Sequence, residues 1–582
     1  VDGPATWRAR KAHYLNRLHA RTSGLSRAAT GFTATPEPRT IGRVARGRQI
    51  VAGNFQFAGH LVEAPGLDLW DLPAPDAAFT GELHGFGWID DLAALGDFSA
   101  FERARSWTFE WIERFGRGTG PGWTPDLTGR RVLRWISNSV ALLNGQDATQ
   151  QAVFFASLSR QTAFLARRWS AADPGLPRFE ALVGLLCATL SIEGMERRIA
   201  PAARALGREC AHRIGGEGGI PSRNPEELLE VFTLLTWASE TLREHGHEIA
   251  PDHRKALARI APTLRALRHA DGALARFHGG GRGQAGRLDA ALAVAGVRKM
   301  PDASLAMGFA RMSHGRTSIL IDAAPPPATE LSGRAHASTL AFEVTSGRRP
   351  MIVNCGSGAS FGEKWRRAGR ATPSHSTLGI EGFSSARLGV VGMIGGRKNE
   401  LLVDAPRDVR VQRRSDEDFD TLIAGHDGYT KTHGLTHVRT LKLGVDGRTI
   451  KGEDTLAALS DAGEAQFNHV FDHSRMQGVP FSIRFHLHPD VEAELNMGGK
   501  AVSLALRSGE IWVFRAAGRA SISLEPSVYL EKGRLAPRGT RQIVLKDRAV
   551  DFATRIDWTL AKPQDTPSGI RDLVMDEVVS DD

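Results

Sequence analysis

Tyrosine and cysteine are scarce in this chain, with three of each among 582 residues. Cys187, Cys210 and Cys355 form no metal-binding spacing, and an odd, widely separated set argues against a disulfide framework. No apolar run reaches the length that spans a bilayer, so no membrane partner is expected. Charge of one sign is never concentrated. The 74 Lys+Arg outweigh 65 Asp+Glu by +9, yet the basic residues are dispersed as on a solvated surface, which argues against a nucleic-acid partner. The N-terminal stretch WRARKAHYLNRLHAR lacks the apolar centre of a signal peptide. A cytoplasmic location is therefore expected, or a periplasmic one if a leader has been removed. Two opposed carboxylates for glycoside hydrolysis are also missing, since Asp90 and Asp91 are adjacent and point to different sides.

The length demands more than one core. Residues 1–90 read as an N-terminal arm with a small subregion, rich in turn formers and aromatics. From 91 to 300 the apolar residues recur at intervals of three and four, over Phe98 to Phe115, Gly129 to Leu143, Gln150 to Trp169, Arg178 to Leu190, Met195 to Ile214, Pro225 to His245 and Pro251 to Leu267. Short loops between them suggest antiparallel helical hairpins, which a ring would bury. Near Met300 the period changes from 3.6 to 2. Fifteen short alternating runs follow, AQFNHVFDH among them, and predict an antiparallel β domain over 301–565. An acidic, frayed tail is expected over 566–582. The fold class is thus multidomain, α then β. The stretch Ser332 to Gly382 opens the β half and places His336 and His375 at the starts of two strand-like runs. From His336, the positions Ser338, Leu340, Phe342 and Val344 share one face, so the imidazole needs a partner or a function.

The strings HASTLAFEV, TPSHSTLGIEG, GHDGYTKTHGLTHVRTLKL and GRTIKGEDTL resemble the heparinase II/III-like family of polysaccharide lyases. LHGFGWIDDLAAL, WTPDLTGRRVLRWISNS and EGGIPSRNPEELLE resemble its helical half more loosely. The resemblance implies an N-terminal incomplete (α/α) toroid followed by a large antiparallel β-sandwich domain, with a cleft between them. It also implies β-elimination at a uronic acid of an acidic oligo- or polysaccharide. That reaction requires neutralisation of the uronate carboxylate, a base for the C5 proton and an acid for the leaving oxygen. An oligomer is compatible with the sequence.

Arg223 and Asn224 stand where the family carries its polar cluster and are the candidates for neutralising the carboxylate. Asn224, followed by Pro225, Glu226 and Glu227, is equally a helix N-cap. Tyr429 is the candidate for proton transfer, with His426 and His433 beside it as candidates for binding substrate, although Asp427-Gly428 also reads as a turn. The toroid segment where the family carries a tyrosine reads LRHADGALARFHGGGRGQ here, leaving His269, Asp271 or His278 as substitutes. In the family's first strand motif, a catalytic histidine falls on Arg334, which would bind a carboxylate rather than move a proton. His336 and His375 match later histidines of that motif and are retained as catalytic candidates. With Asn354 where an acidic ligand is expected, they form a degraded zinc site, so no cofactor is expected. His84 and Trp88 either line the sugar cleft or pack between helices. His486 and His488 either bind a metal or are structural.

Two readings remain open. One is a polysaccharide lyase cleaving a uronate-containing glycan; the other is a catalytically impaired glycan-binding or scaffolding protein of the same fold.

Overall fold

The computed structural model describes residues 7–25, 27–300, 305–394, 397–567 and 572. Helices fill its first half. The periodicity locates them within a few residues: Phe98–Phe115, Pro125–Ser137 with Ser139–Leu143, Ala148–Arg168, Leu176–Ser191, Ile199–Arg213, Pro225–Glu244 and Pro251–Ala266. Their starts carry ordinary signals. Asp97 and Asp147 accept from Ala100 and Gln150 N–H groups at 2.7 and 2.8 Å, while Pro125, Pro225 and Pro251 occupy first helical positions. Leu176–Ser191 is buried almost all round and forms the centre of the ring. It meets Pro125–Ser137 where Gly129 and Gly184 touch, because a Cβ on Gly184 would lie 2.5 Å from Gly129 Cα.

The N-terminal arm is part of this body. Trp7–Thr22 lies on Ala148–Arg168, and Val44–Val51 lies on Gly87–Leu95. Between them Arg39 reaches across Pro225–Glu244 to Glu240 at 2.7 Å. A hairpin, Asn54–Phe57 with His60–Glu63, touches the β half through Gln56 Nε2, which donates to Gly533 O at 2.8 Å.

The second half is a sandwich of two eight-stranded sheets among the described residues. One runs in the order Val409–Ser415, Phe419–Tyr429, Leu435–Gly444, Thr449–Ala457, Ala553–Ala561, Ile511–Ala516, Ala501–Ala505, Glu492–Asn496. The other runs Ser521–Tyr529, Arg538–Ala549, Val479–Leu487, Arg349–Val353, Phe342–Ser346, Thr317–Asp322, Phe309–His314, with Leu378–Ile380 also on Val479–Leu487. Every pairing between them is antiparallel. Aromatic rings join the sheets: Trp558 stacks on Phe342 (5.8 Å, 12°) and on Phe514 (5.8 Å, 20°), with Phe485 edge-on at 4.9 Å. Multidomain, α then β, with a toroid followed by a sandwich, is the observed architecture.

Three expectations fail locally. AQFNHVFDH lies in a helix, Asp461–His473, capped by Ser460, whose hydroxyl accepts from Gly463 N at 3.1 Å. Phe467, Val470 and Phe471 carry the helical interval that a nine-residue window obscures. His336 precedes its strand, which begins at Phe342, because Leu340 turns the chain with φ +62° and donates its N–H to Asp322 O at 2.8 Å. Asp427-Gly428 lies within Phe419–Tyr429, at an irregularity in register, and the chain reverses through the helical turn Thr430–His433 instead. The expected acidic tail lies outside the described residues apart from Thr566, Pro567 and Asp572, the last of which pairs with Arg348 and Arg349 at 2.9 and 2.7 Å.

Gly452 faces Trp558 across a strand pair, and a Cβ there would sit 2.0 Å from the indole. Gly452→Ala is therefore expected to displace the ring that joins both sheets and to cost about 1–3 kcal/mol, read by chemical denaturation.

Candidate functional site

The ring and the sandwich meet at the buried carboxylate of Asp322. Thr317–Asp322 is buried along its whole length and ends on Asp322, whose side chain has no solvent exposure. Arg223 Nη2 reaches Asp322 Oδ1 at 2.5 Å, the Ser338 hydroxyl donates to Oδ2 at 2.7 Å, and His278 Nε2 lies 3.4 Å from Oδ2. Burial pushes the Asp322 carboxyl up, but Arg223 and His278 outweigh that and hold it at about 2.

Arg223 has little left for a ligand. Its other N–H groups donate to main-chain oxygens: Nε to Met307 O at 3.0 Å, Nη1 to Ala324 O and Pro325 O at 3.1 and 2.7 Å, and Nη2 to Gly308 O at 2.9 Å. The guanidinium also lies 4.7 Å over the Phe309 ring. The expected carboxylate neutraliser is thus a clasp between the two halves. Asn224 caps Pro225–Glu244, its Oδ1 accepting from Glu227 N at 3.1 Å, while its Nδ2 donates to His278 O at 3.3 Å. Both readings of that residue type meet in one side chain at the seam.

Three histidines continue the cluster. His336 N–H donates to His278 Nδ1 at 3.3 Å, and His336 Nδ1 lies 3.1 Å from His375 Nε2. His375 Nδ1 lies 2.9 Å from Ala371 O, which accepts only from N–H. The network therefore assigns a proton to Nδ1 of both His375 and His336 and leaves His336 Nε2 with its lone pair, 3.9 Å from where a Cβ on Gly279 would lie. Burial and the neighbouring positive groups push His336 well below its ordinary range, and burial takes His375 down to about 4. His278 is lowered as well, by burial above all. All three are held neutral near pH 7. Arg223, His278, Met307 and Leu340 are all non-glycine residues at positive φ (50°, 47°, 54° and 62°). Such backbone strain, of order 1 kcal/mol each, persists only where surrounding contacts fix it.

The structure brings Arg223, Asn224, His336 and His375 into one cluster and places the other candidates apart from it. Tyr429 is sealed in the sandwich core, its hydroxyl donating to Leu378 O at 3.2 Å, and burial pushes the phenol up. Its alternating strand turns the ring inward between the sheets, away from the toroid. His426 is buried beside it, accepting from Gly428 N at 3.0 Å and meeting His437 at 3.3 Å. His433 is buried edge-on against Phe383. His84 and Trp88 pack between helices rather than lining a cleft: Trp111 Nε1 donates to His84 Nδ1 at 3.0 Å and Trp88 Nε1 to Leu83 O at 3.0 Å. His269 is buried against Glu343 at 3.0 Å. Arg334 is exposed. It acts on Asp173, whose carboxyl is raised by burial and by Asp126 and lowered by Arg334 and Arg178.

The three residues of the expected zinc set do not converge on one point. His336 and His375 spend facing nitrogens on each other, and Asn354 is turned away, donating to Glu343 Oε1 at 3.3 Å and accepting from Ser376 N at 3.0 Å. Among the described residues no group of three or more His, Cys, Asp or Glu side chains is arranged for a metal. His486 and His488 are structural neighbours of Ser527 (2.7 Å) and Tyr529 (ring centroids 4.9 Å). Asp322 escaped sequence reasoning; its available signal was an acid closing the apolar run of the strand Thr317–Asp322.

The Heparinase II/III-like, C-terminal family matches residues 297–559. FtsZ-localized protein C of Caulobacter vibrioides (strain NA1000 / CB15N) is 30% identical over 545 residues, covering 92% of this chain and 91% of that protein. Among solved structures, heparinase III superposes with a TM-score of 0.67 at 12% identity, covering 96% of this chain and 92% of that one. A heparan sulfate lyase HepC mutant from Pedobacter heparinus gives 0.59 at 14%, covering 95% and 88%. At these identities the structures share the fold. Among the described residues no helix is long and apolar enough to cross a membrane.

Removing the clasp has a defined outcome. Arg223→Ala removes the guanidinium from buried Asp322, leaving it Ser338 and His278, and is expected to cost about 3–5 kcal/mol. Because the folded carboxyl is depressed, its contribution is full above about 3.8 and lost as pH falls toward about 2. Calorimetric melts across that window should show wild type losing this increment and Arg223→Ala lacking it.

Proposed function

We propose a function from one premise: this chain belongs to the heparinase II/III-like family. Its fold is that of a polysaccharide lyase, and the reading favoured is that it serves as a glycan-binding or scaffolding protein without lyase turnover. One observation carries this reading. Elimination needs a group that can take and return a proton beside the residue that neutralises the uronate, and among the described residues no tyrosine is hydrogen-bonded to Asn224. Tyr429 is enclosed between the sheets, Tyr14 is exposed on the N-terminal helix Trp7–Thr22, and Tyr529 is buried under Arg276 with its ring 4.0 Å from the guanidinium.

Charge near the seam also favours it. Arg334 is accompanied there by Arg178 and by Asp173, Asp126 and Glu330, and Lys532 by Glu226, Glu230 and Glu82. A highly sulfated polyanion is a poor match for so many carboxylates, so an acidic glycan of low charge density is the partner proposed. The relative carrying the name FtsZ-localized protein C supports placing this chain at the division site in the cytoplasm.

A second reading, β-elimination of a uronate-containing glycan, draws on the free lone pair of His336 Nε2. In that scheme Asn224 steadies the carboxylate, His336 takes the C5 proton and Arg334 binds a neighbouring acid. The depressed basicity of His336 makes it a weak base for such a proton.

A panel of heparan sulfate, chondroitin sulfate, hyaluronan and alginate separates the two. The expected result is no growth in unsaturated-uronate absorbance, together with retention of at least one glycan in affinity electrophoresis. Growth abolished by Asn224→Ala and by His336→Ala would establish elimination instead. A fluorescent fusion is expected to form a midcell band coincident with FtsZ; uniform fluorescence would contradict the division-site assignment.

A further inference from the structure

One helix of the sandwich half carries chemistry that the seam does not use. Asp461–His473 is anchored through Phe467, its buried side chain, which stacks on Phe471 at 5.9 Å and meets Phe552 at 5.8 Å. That anchoring leaves His469 and His473 exposed to solvent. Residues four apart are neighbours on a helix surface, and these two rings lie 4.2 Å apart between centroids, inclined at 52°. In the strand that this stretch resembles in sequence they would stand about 13 Å apart. The helix therefore creates the pair.

Hydrogen bonding orients one of the two imidazoles. His473 Nδ1 lies 2.7 Å from His469 O, and a carbonyl oxygen accepts only from N–H. Nδ1 of His473 thus carries a proton, and Nε2 is the atom left to face a ligand. Histidines that ligate metals are commonly oriented by such a bond from the other ring nitrogen. Among the described residues no hydrogen bond or ion pair engages the ring nitrogens of His469 or the carboxylate of Asp472, three residues further along. The helix ends just beyond the pair, where Arg475 and Met476 take φ of +55° and +60°. Its last turn is the negative pole of the helix dipole, which favours a cation.

Two imidazoles are too few for a closed tetrahedral zinc site, which takes four protein ligands. They suit a metal that accepts nitrogen at two positions of a tetragonal set and keeps water at the others, the preference of Cu2+ and Ni2+. We propose that His469 and His473 form a solvent-exposed site for a divalent transition metal, Cu2+ before the others, bound through His473 Nε2 and a ring nitrogen of His469. Any proton on those two nitrogens passes to water when the metal binds. The bound ion ties together the last turn of the helix. Neither histidine belongs to the seam, so the site is independent of whether the seam binds glycans.

Calorimetric titration of CuCl2 into the full chain, in a buffer that does not chelate, tests this. A saturable event is expected that needs both histidines. His469→Ala and His473→Ala should each weaken it by more than about tenfold, since deleting a ligand costs at least as much as deleting a group that orients one. The double variant should add little to either, because the two side chains act as one unit. NiCl2 and ZnCl2 should compete for the same place with lower affinity, and MgCl2, which prefers oxygen ligands, should not. Both histidines are exposed, so each variant is expected to fold as wild type does. Cu2+ should also slow amide hydrogen exchange across Asp461–His473 in wild type and leave it unchanged in the variants. Cu2+ binding that either single variant leaves intact, competition by Mg2+, or helix exchange that Cu2+ does not slow would each overturn the proposal.

Discussion

The carboxylate of Asp322 fixes how the two halves of this protein meet. It has no solvent exposure, and it draws one partner from the toroid's polar loop, one from the toroid's last loop and one from the sandwich: Arg223, His278 and Ser338. A charge so deeply buried is tolerable only when its partners hold their geometry. That requirement passes outward. Arg223 is locked by four main-chain oxygens, His278 is held at positive φ, and His336 is positioned by its bond to His278.

Deeper in the sandwich a second buried carboxylate supports the same region from behind. Asp454 receives Arg439 from two sides at 2.8 and 3.1 Å, His437 at 2.8 Å and the Trp558 indole at 3.0 Å. Arg439 extends to Leu340 O at 2.8 Å and Ser376 O at 3.0 Å, the residues flanking the His336 turn and the His375 loop. The histidine pair therefore rests on an ion pair rooted in the inter-sheet aromatic stack. Both carboxylates act as junctions.

The sequence makes the helices and most strands legible because their periods and caps are local. Phe98–Phe115 is read to the residue from its spacing, and Asp97 caps it. The loops at the seam are not legible in this way. His336 looks like a strand position because its neighbours alternate, yet a positive φ at Leu340, stabilised by a distant strand end, breaks the run. Tyr429 attracts attention by the density of titratable groups around it, but a strand buries every second residue, and density says nothing about which face is inward. Asn224 is the reverse case. Its capping signal is local and correct, and its contact with His278 O depends on a loop 54 residues away.

The clasp has a consequence for how such a chain can diverge. Four of the five groups that Arg223 grips are main-chain carbonyls, at Met307, Gly308, Ala324 and Pro325. A carbonyl oxygen is the same whatever side chain stands beside it. Of these positions only Gly308 is constrained by the grip itself, since a Cβ there would lie 2.7 Å from Arg223 Nε. The docking of ring on sandwich is thereby insulated from substitution in the loops that form it. The surface above it could be rewritten residue by residue while the scaffold beneath kept its shape.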